Sequence, residues 1–338
     1  MLPVGLLLCI SSLVTERKKS VRNPEKSLKR TLYLLVIGVL LGGGAFVYYE
    51  EQDDAGKLRI QEAFLDGIDV VRESKGMPGP LVDLLDGVYD LIPASVGVVV
   101  DVGGYKEESP SIYGGIPRSS RSLNVLANAG YWVGYDEKMQ NPAWSAYRLF
   151  LAPDEPIGKR PPGFNTDNRT RARVKSSDYT RSGYDRGHLA PNYAIAHCYG
   201  RDAQLETFLM SNITPQRPDL NRKLWRDLEH RVAKRYTKRF GEVWVITGPI
   251  YYRPTHVVRL HEHPAIPDAF FKIVFEEHPY GLRAEAFIIP QNVNGDEPLR
   301  PYLVSIDDIE TLTGLDFCPS FPEATQVELE AIPAKRVW

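Results

Sequence analysis

The chain has 338 residues, of which 43% are hydrophobic and 25% are charged. This composition can fill a sizeable core, and it excludes a wholly disordered, collagen-like or coiled-coil protein. A net charge of −2 excludes a histone-like polycation, and three cysteines are too few for a disulfide-dense scaffold. The length allows one large domain with an appendage, or two modest domains.

The N-terminal end has the charge pattern of a membrane anchor. Residues 1–30 are basic, the nineteen residues from Thr31 to Tyr49 carry no charge, and four acidic residues follow between 50 and 54. A helix of nineteen residues is roughly 28 Å long, close to the thickness of a bilayer's hydrocarbon core. The positive-inside rule therefore predicts a single transmembrane helix at 31–49, with residues 1–30 in the cytoplasm.

Two other interpretations of this end stay open. Gly43, Gly44 and Ala45 are small enough for a signal peptidase, so the apolar stretch is alternatively the core of a cleaved signal peptide. The apolar stretch from Leu2 to Val14 would, as a second span, change the topology. With a single anchor, the rest of the chain faces the periplasm or exterior of a bacterium, or the intermembrane space of a eukaryotic mitochondrion.

The chain after the anchor divides into a predicted stalk or accessory region, residues 50–108, and a main domain, residues 109–338. Apolar spacing in the stalk predicts helices at Leu58–Val71 and Leu81–Ile92 and a strand at Val96–Val102. The strands predicted in the main domain are Gly130–Tyr135, Trp144–Leu151, Val243–Ile250, Ala269–Glu276 and Leu282–Ile289. Its predicted helices are Leu220–Arg239 and Ser305–Thr313, the latter with Ser305 as N-cap. Because strands outweigh helices without regular alternation, we predict an α+β fold with a mainly antiparallel sheet flanked by helices.

Residues 158–240 concentrate positive charge, with eighteen lysines and arginines against eight acids. Such a patch on a nearly neutral protein suits a polyanionic ligand held at one place. A solvated helix face would also be basic, so the patch alone leaves nucleic acid binding undecided.

Within this region the run Asp185-Arg186-Gly187-His188 places an acid, a guanidinium and an imidazole together. Cleavage of a phosphodiester needs a base to activate water and positive charge to offset the phosphorane. The imidazole of His188 is suited to be the base, and Arg186 is suited to hold phosphate oxygens.

A second run, Ser211 to Gln216, leads into the predicted helix that begins at Leu220. On that helix Asn221, Trp225 and Glu229 share one stripe. The adjacent apolar stripe, predicted to pack on the sheet, is formed by Leu220, Leu224, Leu228 and Val232. Asn221 and Glu229 would then lie at the rim between core and solvent. An amide oxygen with few carboxylates suits a largely hydrated Mg²⁺.

These runs, in this order and spacing, resemble the DNA/RNA non-specific endonuclease family, whose members have the ββα-metal (His-Me finger) fold. The resemblance runs from about Tyr113 to Pro322 and includes the run Asn141 to Trp144 and the run Leu312 to Phe317. It implies a metal-dependent endonuclease that cleaves DNA and RNA with little sequence specificity and leaves 5′-phosphate ends. The implied cofactor is Mg²⁺, with Mn²⁺ as a substitute.

The resemblance also implies roles for individual residues. His188 would be the general base, Asn221 the direct metal ligand, and Glu229 the residue that orients the metal's waters. Arg186 would stabilise the phosphorane. For a second family arginine Arg160 fits best, with Arg169 and Arg171 as alternatives. Arg186, Arg160 and Arg222 are predicted to bind substrate.

Several nearby residues have structural interpretations. Asp185 is expected to fix the turn or neighbouring donors, and Trp225 to pack in the core. Asn212 either touches the site or caps the following turn. Cys198 and Cys318 would pair only if the chain is exported and they lie close together, which the sequence leaves open.

The expected protein is a membrane-anchored endonuclease with DNA and RNA as substrates and the membrane as partner, and a homodimer is left open. The alternative is a catalytically silent, membrane-tethered protein that binds DNA for capture or uptake. That alternative has no need for His188, Asn221 and Glu229 together.

Overall fold

The computed structural model describes residues 49–72, 78–92, 97–102, 109–153, 156–261, 263–278 and 281–338. Apart from Tyr49, the predicted anchor at 31–49 lies outside these residues, as does the basic segment 1–30. Among the helices that the structure describes, none is both long and apolar enough to cross a membrane. The chain forms two compact units, Met1–Val96 and Gly97–Trp338.

In the first unit the structure describes a pair of helices, α1 (Asp54–Arg72) and α2 (Gly79–Asp90). Leu65 and Ile68 of α1 pack with Tyr89 of α2. The guanidinium of Arg72 forms an ion pair with Asp86 at 2.9 Å and lies over the Tyr89 ring. The two helices predicted in the stalk are therefore confirmed, and a small apolar cluster with a buried ion pair holds them together.

The second unit is built on a seven-stranded sheet in the order β10-β9-β8-β7-β4-β3-β2, with every neighbouring pair antiparallel. Its strands are β2 (Asn124–Ala127), β3 (Trp132–Asp136), β4 (Asn141–Phe150), β7 (Glu242–Ile250), β8 (Ala269–His278), β9 (Gly281–Pro290) and β10 (Leu303–Val304). Two small ribbons accompany it: β1 (Arg118–Ser119) with β11 (Leu315–Asp316), and β5 (Asp185–His188) with β6 (Ile213–Gln216). All five strands predicted for the main domain are confirmed, and so is their antiparallel arrangement.

Helices cover both faces of the large sheet. Three of them are α3 (Asn192–Glu206), α5 (Ile306–Thr313) and α6 (Glu323–Glu330). The fourth, α4, is continuous from residue 220 to residue 240. It consists of the segments Leu220–Leu224, Trp225–His230, Arg231–Tyr236 and Thr237–Phe240. The first and third segments of α4 are π-helical turns. Ser305 caps α5 as predicted, because its hydroxyl accepts the Asp308 N–H at 3.0 Å.

Alternation along the strands divides the core into two hydrophobic clusters. Val243 and Val245 of β7 face the cluster shared with α3 and α4, whereas Trp244 and Ile246 face the cluster shared with α5 and α6. The predicted apolar stripe of α4 is buried in the first cluster. The sheet thus has an α3–α4 face and an α5–α6 face.

Two sequence expectations were incomplete. A strand was predicted at Val96–Val102. Within the described residues 97–102, the structure shows a single β-bridge, between Val100 and Leu282 of β9. The helix α3 was not predicted, because its apolar residues do not form one stripe and its backbone is kinked at Gly200. Cys198 and Cys318 are both free thiols.

Candidate active site

The ribbon β5–β6 and the helix α4 form a ββα unit that holds the sequence-predicted residues. His188, the last residue of β5, pairs with Ile213, and Gly187 pairs with Thr214. A side chain at Gly187 would place its Cβ 2.0 Å from the Gln216 amide oxygen, so only glycine fits between the motif's arginine and histidine. The ribbon packs on a small cluster that includes Tyr179 and Ile213.

His188 lies against two aromatic rings. Its ring centre is 5.4 Å from that of Phe164 and 5.0 Å from that of Phe208. Its Nε2 is buried and has no hydrogen-bond partner among the described residues. Burial, followed by the charge of Arg160, lowers the pKa of His188 to about 3. The imidazole is therefore uncharged at neutral pH, and an anionic phosphate bound beside it would raise its pKa.

The backbone that follows His188 is braced by Asn212. The Asn212 amide group donates to the carbonyls of Ala190 and Thr207 at 2.9 and 3.0 Å, and its oxygen accepts the Ala190 N–H at 2.9 Å. Asn212 is fully buried. Asn212 was expected either to touch the site or to cap the following turn, and the structure shows a different role, in which it holds the backbone at Ala190 and Thr207.

The two predicted phosphate-binding arginines, Arg186 and Arg160, each lie beside one of the two aromatic rings that contact His188. Arg186 donates from Nε and Nη2 to the Ser176 carbonyl at 3.1 and 2.5 Å, and its guanidinium lies 6.0 Å from the Phe164 ring centre. Arg160 is exposed and lies 5.0 Å from the centre of the Phe208 ring that also touches His188.

Of the two alternatives to Arg160, Arg169 has its guanidinium engaged elsewhere. Arg169 forms an ion pair with Asp167 at 2.7 Å and also donates to Asn128 at 2.8 Å. The backbone N–H of Arg171 donates to Glu137. Of the three candidate arginines, Arg160 is the one whose charge acts on His188.

Asp185 connects β5 to the start of α4. Its carboxylate accepts the Asn221 amide N–H at 2.9 Å and forms a bidentate pair with Arg222, at 2.7 Å from Nε and 2.6 Å from Nη2. Burial acts to raise the pKa of Asp185, but these hydrogen bonds and the charges of Arg222 and Arg186 outweigh it and lower the pKa. Asp185 is thus ionised and can only accept, so Asn221 must turn its NH₂ group toward Asp185 and its oxygen away.

Glu229 lies two turns further along α4 than Asn221. Its Oε1 is buried and has no hydrogen-bond partner among the described residues. Burial raises the pKa of Glu229 to about 7, and the positive charge of Lys272 opposes that rise. The Glu229 side chain as a whole is half-buried, which agrees with the predicted rim position, and the charge of Lys272 from β8 acts on its carboxylate.

Lys272 is completely buried in the sheet. Its Nζ donates to the Tyr147 hydroxyl at 3.3 Å and lies 4.5 Å from the centre of the Trp225 ring. Burial lowers the pKa of Lys272 to about 8, and Glu229 opposes that shift. Trp225 is also buried, which confirms its predicted packing role.

The side chains of this unit suit a hard, largely hydrated cation. Asn221 offers an amide oxygen that accepts no hydrogen bond from the described residues, and Glu229 offers an unpaired carboxylate oxygen. Both are oxygen donors, and a site with one direct protein ligand leaves room for the waters that Mg²⁺ retains.

Sequence analysis missed Lys272, Phe164 and Phe208. The signal for Lys272 was present, since it is a single cation within the apolar run Ala269–Phe275. The two phenylalanines carry no local signal, because they reach His188 only when distant segments fold together.

Comparison with known proteins gives concordant matches. Residues 111–324 match the family described as DNA/RNA non-specific endonuclease. Mitochondrial endonuclease G of Bos taurus is 33% identical over 216 residues, which cover 58% of this chain and 69% of that protein. A nuclease of Nostoc sp. is 31% identical over 222 residues, covering 61% of this chain and 77% of that protein. A chain in the crystal structure of the EndoG/EndoGI complex superposes with a TM-score of 0.53 at 27% identity, covering 60% of this chain and 88% of that chain.

Proposed function

Because the chain belongs to the DNA/RNA non-specific endonuclease family, we propose that it is a Mg²⁺-dependent endonuclease that hydrolyses phosphodiester bonds of DNA and RNA. The observation that carries this proposal is the ββα unit. Its strand β5 carries both His188, whose Nε2 is unpaired, and Asp185, whose carboxylate orients the amide of Asn221 on α4. The eighteen cations of residues 158–240 would hold the polyanionic substrate.

In this mechanism His188 is the general base. Its uncharged imidazole accepts a proton from the attacking water, and the aromatic rings of Phe164 and Phe208 fix its orientation. Arg186, held by the Ser176 carbonyl, stabilises the negative charge that develops on the phosphorane. Arg160 is exposed beside the Phe208 ring and would bind a phosphate oxygen of the substrate.

Asn221 would hold the metal, with Mg²⁺ as the resident ion and Mn²⁺ as a substitute. When bound, the metal supplies Lewis-acid stabilisation of the leaving oxygen. Glu229 would accept hydrogen bonds from the metal's waters, and Lys272 favours the ionised form of Glu229 that this requires. The products would carry 5′-phosphate and 3′-hydroxyl ends.

Little base preference is expected, because contacts to phosphate and sugar carry no direct sequence information. Arg222 would add a phosphate contact at the start of α4, where its side chain is largely exposed beside Asp185. The alternative, a catalytically silent, membrane-tethered DNA-binding protein, would share the basic region but is not favoured, because it has no need for His188, Asn221 and Glu229 together.

We further propose that residues 31–49 anchor the protein and that a stalk and then the nuclease domain follow. The stalk was predicted at 50–108 and the nuclease domain at 109–338, but we draw the boundary between them at 96/97, because the second compact unit starts at Gly97. Both parts would lie on the non-cytoplasmic side of the membrane. In a eukaryote that compartment would be the mitochondrial intermembrane space, in keeping with the mitochondrial names of several relatives. A homodimer is also part of this proposal.

The experiment is cleavage of supercoiled plasmid by the purified chain with Mg²⁺ or with EDTA, beside His188→Ala and the matched variant His197→Ala on α3. We expect metal-dependent nicking and degradation that falls by about 10³-fold in His188→Ala, while His197→Ala cleaves like the wild type. Plasmid binding, measured by gel shift, should be retained in all three proteins.

Two results would contradict the proposal. Full cleavage by His188→Ala would remove the assigned base. Intact plasmid with a salt-sensitive gel shift in the wild type would instead favour the silent DNA-binding protein.

A further inference from the structure

The α5–α6 face carries a second group of potential metal ligands, away from the ββα unit. Carboxylate oxygens of Asp307, Glu310 and Glu330 all lie within 4.8 Å of one another. Asp307 and Glu310 stand on one side of α5, and Glu330 is the last residue of α6. The two helices pack on the sheet through Ile306, Ile309 and Leu329. None of these residues contributes to the proposed nuclease mechanism.

The inner member of this acidic cluster lacks a partner. Glu330 is only 4% exposed, and its Oε1 is buried without a hydrogen bond from the described residues. A carboxylate oxygen of Glu330 lies within 4.8 Å of carboxylate oxygens of Asp307 and Glu310, so this buried side chain points into the cluster. An unpaired buried carboxylate is costly unless a proton, a cation or hydrogen bonds compensate for it.

The charges around Glu330 make the cost larger. The charged groups that act on Glu330 are the carboxylates of Glu310, Asp307 and Asp316. Each of these three neighbours is acidic. One of them, Glu310, is held in place because it accepts the Phe317 N–H at 2.6 Å. The cluster therefore lacks the compensation that Lys272 gives Glu229 on the other face.

We propose that Asp307, Glu310 and Glu330 bind a divalent cation of the Ca²⁺ class. Three carboxylates without nitrogen or thiolate donors select a hard ion. Ca²⁺ accepts several carboxylate ligands in a flexible geometry, whereas Mg²⁺ usually binds through one or two carboxylates and keeps several of its waters. Burial raises the pKa of the neighbouring Cys318 thiol, so it stays protonated and is a poor ligand for softer metals.

The test is calorimetric titration of the purified chain with Ca²⁺. Asp307→Asn and Glu310→Gln should bind Ca²⁺ at this site at least about tenfold more weakly, because each removes one charged ligand. The matched variant Glu328→Gln changes an exposed acid on α6 outside the cluster and should bind like the wild type. Asp307 is exposed, so its variant is expected to fold normally.

The site must also be separable from the nuclease site. Asn221→Ala should retain this Ca²⁺ binding, and Asp307→Asn should retain plasmid cleavage. Saturating Ca²⁺ should raise the melting temperature by about 5 °C, and Mg²⁺ should raise it less. Unchanged Ca²⁺ affinity in both Asp307→Asn and Glu310→Gln would overturn the proposal. Absence of Ca²⁺ binding in Asn221→Ala, with stability that depends only on pH, would show that a proton alone neutralises the cluster.

Discussion

The two faces of the seven-stranded sheet carry opposite charge. Residues 158–240, which supply α3 and α4, hold eighteen lysines and arginines against eight acids. Residues 303–330, which supply α5 and α6, hold seven acids and no lysine or arginine. Each face holds a glutamate whose pKa is raised: Glu229, which is half-buried, on the first and Glu330, which is buried, on the second.

The difference lies in what surrounds each glutamate. Glu229 has the buried cation Lys272 beneath it, so it can ionise near neutral pH without an added ion. Glu330 has three acidic neighbours, and only a proton or an added cation can compensate for them. Burial raises the pKa of a carboxyl group in both cases. The charge of the neighbouring residues then determines whether the group can ionise by itself, as Glu229 can, or needs a bound cation, as Glu330 does.

The largest effect that would test this contrast is expected for Asn221→Ala on the α3–α4 face. Loss of the amide oxygen should reduce turnover by about 10³-fold, equivalent to about 4 kcal/mol, and should shift the Mg²⁺ titration to higher concentration. Steady-state cleavage of a fluorescent oligonucleotide at graded Mg²⁺ measures both quantities. Asn168→Ala, at an exposed position, is the control, and an unchanged Mg²⁺ titration in Asn221→Ala would refute the ligand assignment.

A second test concerns stability and uses Glu285, a fully buried acid of β9 that accepts the Trp338 N–H at 3.1 Å. Burial raises its pKa to about 7, against an unfolded value near 4.5. A raised pKa means that the stabilisation is present below about pH 4.5 and is lost as pH rises through about 7, by roughly 3 kcal/mol in total.

Urea unfolding from pH 5 to pH 9 measures this loss. Glu285→Gln should flatten the decline, and added Ca²⁺ should leave the Glu285 contribution unchanged while it stabilises the α5–α6 face. An identical pH profile in wild type and Glu285→Gln would show that the pKa of Glu285 is not raised.

A smaller effect is expected for Glu229→Gln. Because the pKa of Glu229 is about 7, its ionised fraction grows as pH rises through that value, and cleavage should rise with it. Glu229→Gln should lose this rising limb of the pH–rate profile, and its turnover should fall to about one-thirtieth of the wild-type value. The rise is measured in kcat/KM, which reports the free enzyme, where the pKa of His188 is about 3, so His188 does not contribute to that limb. Rates measured from pH 5 to pH 9 decide the assignment, and a limb that persists in Glu229→Gln would contradict it.

The smallest effect is expected for Arg222→Ala, which removes an exposed cation paired with Asp185. The KM for DNA should rise about threefold, and the slope of log affinity against log salt should fall by about one. Lys138→Ala, a cation outside the basic region, is the matched control. A variant that matched the wild type at every salt concentration would remove Arg222 from the substrate-binding set.

The sequence predicted the long strands well, because Val243–Ile250 and Ala269–Glu276 are apolar enough to be recognised locally. It did not predict β5 and β6 as strands, since these four-residue segments are partly polar and pair only with each other. The motif residues could be named from their chemistry, and the apolar stripe of α4 was placed correctly. The contacts among the motif residues could not be predicted, because they join distant parts of the chain. Asp185 and Asn221 are 36 residues apart, and Glu229 and Lys272 are 43 residues apart.

The placement of the metal at Asn221 is tested most directly by anomalous diffraction from crystals soaked in Mn²⁺. A peak beside the amide oxygen of Asn221, lost in Asn221→Ala crystals and insensitive to Asp307→Asn, is the predicted result. Mn²⁺ density at other positions only, with none beside Asn221 in an enzyme that cleaves plasmid under the same conditions, would contradict the account of the α3–α4 face.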